Sequence, residues 1–410
     1  MHQSRRSFLK TAGSAAALTL AAPPVLLAAE QTIKVGSLHD LTGALDSVGI
    51  PMDLILKMAV KEINAAGGLL GRKVEAVIYD PQSNMSLYSQ YATQLALKDR
   101  VDVVMGGITS ASRETIRPIF HRYGTFYFYN TQYEGGVCDR NEITLGTTPA
   151  QTVARLIPHG MKLYGKKVYT VAADYNYGHI TSAWVKRYVE ENGGQVIETQ
   201  FFPLDVSQFG STISKIQGAK PDIVLSALVG TSHLGFYRQW TSSGMKGQIP
   251  ILSTTFGAGG NEQIILTAEE GNGILSSFGY FEKIDNPTNK AFLSRVDKEI
   301  PGRTWVVSEI TAATYEGMLI WADAVRQAGT TKRDPLLEVI NSGKVYDMPA
   351  GKVKIDPRTH HTIRDVYIAS LKDKSFDIVQ AFPDSPPTDT QMVCDLIKNP
   401  ASNKHYEISL

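Results

Sequence analysis

One pattern governs the chain from Thr32 onward: a short apolar run, a turn, then a longer stretch with helical spacing. Apolar runs at 33–38, 74–79, 101–105 and 125–129 alternate with helix-like stretches at 52–66, 87–98 and 114–122. Runs this short and this apolar suit strands buried on both faces, and strands separated by helices pair in parallel. A Gly-rich polar loop at 130–142 and a short strand at 143–147 follow; Pro149 then precedes a helix over 152–164, which marks a crossover. The alternation restarts, with strands expected at 167–172, 196–202, 222–228, 250–254 and 274–280 and helices between them. Further helices are expected at 286–299, 308–328 and 334–341, and a closing hairpin at 353–355 and 366–371. The fold class is therefore α/β: two doubly wound parallel-sheet lobes joined by a multi-strand hinge. The expected first lobe takes 30–147 plus 281–345, and the second takes 148–280 plus 346–385. Residues 386–410, rich in Pro, Thr, Asp and Asn, are expected as an extended C-terminal tail. Ligands of open α/β sheets sit beyond the C-terminal strand ends, so two such lobes face each other across a cleft that can shut on a small molecule.

Residues 1–29 read as a leader rather than as fold. Ser4-Arg5-Arg6-Ser7-Phe8-Leu9-Lys10 is a twin-arginine pattern, followed by an Ala/Leu-rich stretch at 15–22 and by Leu27-Ala28-Ala29 at the cut. The expectation is export to the periplasm by the twin-arginine route; the alternative is a retained anchor, for which the apolar region is short. Net charge is +1 over the whole chain and turns slightly negative without Arg5, Arg6 and Lys10, so nothing favours a nucleic-acid partner. An exported chain with two cysteines, Cys138 and Cys394, is expected to pair them, with two unpaired thiols as the alternative.

Four places fall at C-terminal strand ends. The first is the turn 106–113, Gly-Gly-Ile-Thr-Ser-Ala-Ser-Arg, which opens a helix. A helix N-terminus carries unpaired N–H groups and partial positive charge, and Ser110 and Ser112 sit among them. Such a turn holds an oxygen-rich group or simply caps the helix. The others are Tyr129-Asn130-Thr131-Gln132-Tyr133-Glu134-Gly135, Asp174-Tyr175-Asn176-Tyr177-Gly178 and Val229-Gly230-Thr231-Ser232. Tyr129, Thr131, Tyr175, Tyr177 and Thr231 supply aromatic faces and hydroxyls suited to a small polar molecule. Tyr129 and Tyr133 also suit plain strand packing. Asp174 either orients a ligand amine or caps the following helix. Catalytic readings fare poorly: the chain has no Gly-x-Ser-x-Gly elbow and no His-Glu-x-x-His helix. Gly257-Ala258-Gly259-Gly260 reads as an ordinary turn, and His360-His361 as a solvated loop rather than a metal site.

Several stretches resemble one family. They are Ile63-Asn64-Ala65-Ala66-Gly67-Gly68-Leu69-Leu70-Gly71-Arg72, Thr109-Ser110-Ala111-Ser112-Arg113, Gln132-Tyr133-Glu134-Gly135, Ala173-Asp174-Tyr175, Val229-Gly230-Thr231, Ile284-Asp285-Asn286-Pro287 and 350–357. The chain resembles the periplasmic substrate-binding proteins of ABC-type importers for branched-chain amino acids, amides and urea, and most of all the urea/short-chain-amide branch. The resemblance implies the type I periplasmic binding protein fold. It implies a non-enzymatic receptor without cofactor, which takes urea, a short-chain amide or an amino acid and delivers it to a membrane permease. Ser110, Tyr129, Thr131, Tyr175, Tyr177 and Thr231 match the ligand contacts of the amide branch. In amino-acid binders the Ser110–Ser112 turn would hold the carboxylate, and an acid after the strand near Thr254 the amine. Here 255–260 holds no acid, and the next is Glu262. His179 and Gly178 stand where Arg and Pro are common. The alternative within the fold is an amino-acid receptor; outside it, a secreted amide hydrolase.

Overall fold

Successive side chains of a strand point to opposite faces, so a strand buried on both sides feeds two separate cores. The computed structural model describes residues 32–408 apart from Gly260, and its first sheet follows this rule. Its strand order is Val74–Tyr79, Ile33–Leu38, Val103–Gly106, Phe126–Tyr129, Glu142–Thr144, all parallel. Val103, Met105, Phe126 and Phe128 pack on one side with helices Asp46–Ala65 and Glu309–Ala328. Val104, Tyr127 and Tyr129 pack on the other with Tyr88, Ile116 and Phe120 from helices Met85–Gln94 and Ser110–Tyr123.

The second sheet has a parallel half in the order Gln195–Phe202, Lys167–Ala173, Ile223–Ala227, Ile251–Ser253, Leu275–Phe278. Its two faces are divided in the same way. Val168, Ile223 and Leu225 join one core with helices Val153–Tyr164 and Asn176–Glu191, while Tyr169, Val171 and Val224 join another with helices Gly210–Ala219 and Thr231–Ser242. Thr362–Lys372 then adds antiparallel to Leu275–Phe278 and carries Gly351–Ile355 and Ser375–Ser385 beside it.

The chain passes between lobes at 145–152, 279–286 and 341–345. Buried carboxylates tie these crossings together. Glu309 accepts from Thr147 N–H at 3.0 Å, from Thr147 Oγ1 at 2.7 Å and from Gly279 N–H at 3.3 Å. Glu316 pairs with Arg364 at 3.0 Å, both side chains having no exposure, and Arg364 also donates to Leu145 O at 2.9 Å. Burial raises the Glu316 carboxyl, and the Arg364 charge pulls it partly back.

Two expectations are corrected here. His360 and His361 are not solvated: both are buried at the lobe junction, where burial lowers each imidazole to about 4. His361 Nδ1 meets Thr359 O at 2.7 Å, and its Nε2 faces the Tyr133 hydroxyl. The stretch from 386 is not an extended tail either. It carries a helical turn, Thr388–Gln391, and a strand, Asn403–His405, paired antiparallel with Val137–Asp139. Polar composition hid this because its polar groups are spent on buried partners. Asp389 accepts from Thr148 Oγ1 and Ala150 N–H, both at 2.8 Å, and Thr390 Oγ1 accepts from Gly136 N–H. Cys138 and Cys394 form a disulfide across 256 residues of sequence. The leader and the anchor alternative fall on 1–29, outside the described residues; among the described ones no helix is long and apolar enough to cross a membrane.

Cutting so long a loop frees the unfolded chain, at a stability cost of about 5 kcal/mol in the chain-entropy picture. The double variant Cys138→Ala, Cys394→Ala should therefore unfold at a clearly lower denaturant midpoint and with a steeper slope, since its unfolded state exposes more surface. An unchanged midpoint would show that the tail is held by its hydrogen bonds alone.

Candidate functional site

Two helices start at the cleft, each after a glycine that no other residue replaces without strain. Gly107, at φ +76°, turns the chain out of strand Val103–Gly106, and a Cβ there would lie 3.0 Å from the Tyr127 hydroxyl. Gly230, also at φ +76°, does the same before helix Thr231–Ser242, and a Cβ there would lie 2.7 Å from Leu204 O. Between these helix ends lies a cavity of about 360 Å³. Ser110, Tyr129, Thr131, Tyr175, Tyr177 and Thr231 all line it, the first three from one lobe and the rest from the other. Tyr175 and Tyr177 place their ring centroids 6.0 Å apart. Ile108, Ile310, Val229, Leu234 and Ile265 form the apolar walls.

Ser112 and Asp174 do not line this cavity. Ser112 is spent on the helix start: Thr109 Oγ1 accepts Ser112 N–H at 3.0 Å, and Ser112 Oγ accepts Thr109 N–H at 3.0 Å, a closed capping box. Asp174 stands outside the cavity lining and does not cap the next helix. Its exposed carboxylate holds His179 Nε2 at 2.8 Å, and the His179 ring stacks on Phe201.

Beneath the cavity lies a fully buried ion pair. Arg113 Nη2 meets Glu134 Oε1 at 3.0 Å, and neither side chain has any exposure. Arg113 Nε meets Glu114 Oε1 at 3.0 Å. Burial opposes the Arg113 charge, but Glu134 and Glu114 outweigh it and hold its pKa above the usual value. Burial likewise raises Glu114, yet Arg113 and Arg117 pull it down to about 2. The guanidinium lies 4.4 Å from the Tyr133 ring centroid and 5.1 Å from that of Tyr129. Glu134 also accepts the Ser110 hydroxyl proton, and its backbone carbonyl accepts from Trp184 Nε1 of the other lobe at 3.2 Å.

The lobes meet at the rim as well. Asn261 Nδ2 donates to Ser47 O at 2.5 Å, which brings the turn after strand Ile251–Ser253 against the start of the first long helix. This turn overturns one reading of the sequence. Glu262 stands late along the chain, but the turn folds back and brings it into the cavity wall. Its Oε2 is buried without a hydrogen-bond partner among the described residues. Burial raises its pKa, and backbone N–H groups of the same turn oppose that rise. Asp46, Gln132 and His233 also line the cavity without having been singled out. Burial takes His233 down to about 3, so the imidazole is neutral. The signal for Glu262 and Asp46 was an acid in the first turn of a helix after a Gly-containing loop, a pattern shared with ordinary caps.

A profile of the periplasmic binding protein domain matches residues 33–389. The chain belongs to the periplasmic binding protein family. Among its relatives is Leu/Ile/Val-binding protein homolog 6 of Brucella melitensis, 23% identical over 302 residues, 73% of this chain and 77% of that one. Its fold is that of a Rhodopseudomonas palustris solute binding protein of an ABC transporter, solved in complex with 3,4-dihydroxy benzoic acid. There the TM-score is 0.78 at 21% identity, over 87% of this chain and 98% of the other. An amino acid ABC transporter substrate-binding protein from Pseudomonas fluorescens matches with a TM-score of 0.79 at 20% identity, over 90% of this chain and all of the other. The fold is thus the type I periplasmic binding protein fold, and in this family member the cavity lies between the two lobes.

Below that cavity, Glu142 is buried on the edge strand with Oε2 unpartnered. Burial lifts its carboxyl to about 8 against the pull of Arg113 and Arg117. The unfolded value is about 4.3, so the folded state keeps a proton that the unfolded chain gives up between these two pH values. Stability should therefore fall as pH rises through that window. Glu142→Gln should flatten the fall in denaturant midpoint between pH 5 and 8, and an identical slope in both proteins would remove Glu142 as its source.

Proposed function

We propose that this chain is the receptor of an ABC-type importer, exported to the periplasm by the twin-arginine route. It closes on urea or a short-chain amide and hands the solute unaltered to a membrane permease. The observation that carries the ligand class is where the hydroxyl protons go. A hydroxyl has one proton and two lone pairs. Tyr129 donates to Ile108 O at 3.0 Å, Thr231 to Leu204 O at 3.2 Å, Thr255 to Leu228 O at 2.8 Å, and Ser110 to Glu134. These four line the cavity with their protons turned away, so they meet a ligand as acceptors. The donors left are backbone N–H groups at the two helix starts, with the Tyr175 hydroxyl and the Gln132 amide beside them. One carbonyl oxygen with N–H groups beside it, the pattern of an amide, satisfies both sets.

A second reading is favoured by Glu262. An amino acid would set its carboxylate on the Ser110 helix start and its ammonium on the Glu262 carboxylate. The relatives are named for leucine, isoleucine and valine, and solved proteins of this fold bind amino acids or benzoates, so the fold accommodates all of these classes.

A thermal-shift screen separates the two readings, because a ligand raises the melting temperature by mass action. Amides or urea should shift the protein at concentrations where leucine and valine leave it unmoved; the reverse ranking would hand the site to amino acids. The Tyr175 hydroxyl makes no hydrogen bond to the described residues and lines the cavity, so Tyr175→Ala should weaken calorimetric binding by at least ~1 kcal/mol. Undiminished affinity would take Tyr175 out of the site.

A further inference from the structure

The charge lining the cavity has one sign. Two carboxylates, Asp46 and Glu262, face it from opposite lobes, and no Lys or Arg lines it among the described residues. Arg113, the guanidinium behind Tyr129, is walled off and spent on Glu134 and Glu114. His233 forms its hydrogen bond with Tyr237 and is neutral. Asp46 makes no ion pair with the described residues, and the partial positive charge at the start of its own helix offsets it only in part. The helix starts offer only fractional positive charge, about half a unit each, against these two acidic side chains.

A second, independent observation points to a donor-bearing guest. Thr131 is only 6% exposed, lines the cavity and has an unpartnered Oγ1. Gln132 Oε1 and Glu262 Oε2 line the same space and lack partners too. These oxygens accept, as does the unpartnered Oδ1 of Asn261 in the same wall, and only the Thr131 hydroxyl can also donate. The faces of Tyr129, Tyr175 and Tyr177 complete the wall, and an aromatic face attracts a cation through its quadrupole.

We infer that the cavity is selective for a small organic cation with a planar head of N–H donors, an amidinium or guanidinium, over the neutral amide of the same shape. This rests on the reading that the cavity takes the solute, and it puts the cationic counterpart ahead of the neutral amide as the better guest. The oxygens of Glu262, Gln132 and Thr131 accept the N–H groups, Glu262 and Asp46 balance the charge, and the tyrosine faces cover the plane.

Two isosteric series test it by calorimetry on the mature protein: acetamidinium, acetamide and acetate, then benzamidinium, benzamide and benzoate. Within a series shape is held and charge runs from positive through neutral to negative. The amidinium should bind at least about tenfold more tightly than the amide in one series or both, and the carboxylate weakest. Glu262→Gln, checked for folding by its melting temperature, should reduce the amidinium-to-amide affinity ratio severalfold. An amide that binds as tightly as its amidinium overturns the cation inference and leaves the amide reading standing. A carboxylate that binds tightest overturns both. Silence of all six at millimolar concentration overturns the inference as well, and the wild-type comparison decides even where the variant fails to fold.

Discussion

A guanidinium without access to water has to be neutralised where it lies, and in this chain that requirement organises the first lobe. Arg113 stands one turn into the helix that begins at the cleft, with Tyr129 and Tyr133 against its plane. Removing one partner of such a buried pair costs about 3–5 kcal/mol, because the other is left charged in a dry site. Glu134 answers that demand, and in doing so its loop is pinned at several points. Its carboxylate takes the Ser110 proton, its carbonyl meets Trp184 of the opposite lobe, and the next residue's carbonyl faces the His405 ring of the C-terminal segment. Cavity floor, lobe contact and chain terminus thus share one short loop.

The lobe junction obeys the same rule with a different result. Glu309 and Glu316 gather backbone N–H groups and Arg364 where the chain crosses. These bonds are fully enclosed and tie the crossing segments to one another. Across the cleft the described residues form two hydrogen bonds, one from the Trp184 N–H and one from the Asn261 amide. Each is worth about 0.5–1.5 kcal/mol net, the scale at which a solute's own contacts decide between apart and together.

The alternation of apolar runs and helices was legible because parallel strands are buried on both faces and tolerate few polar residues. The turn at 106–113 was readable from its local pattern, and the cysteine pair from an even count in a chain expected to be exported. Glu262 was not, because the turn that carries it back to the cavity is set by the tertiary contact of Asn261 with Ser47. His360 and His361 looked solvated since their partners, Asn341 and Tyr133, lie far away in sequence. Ser112 and Thr109 are indistinguishable from ligand hydroxyls until the capping box is seen closed. The tail misled by composition: Asp389 and Thr390 are polar and wholly buried, bonded to residues more than two hundred positions earlier.

The amide bridge from Asn261 to Ser47 has a kinetic meaning of its own. It ties a rim of one lobe to a rim of the other beside a cavity that is open to solvent, so loosening it lets the rims part more often without removing the bonds that hold a guest. Tightening the grip and lengthening the stay are then separate adjustments, made at different residues of the same cleft.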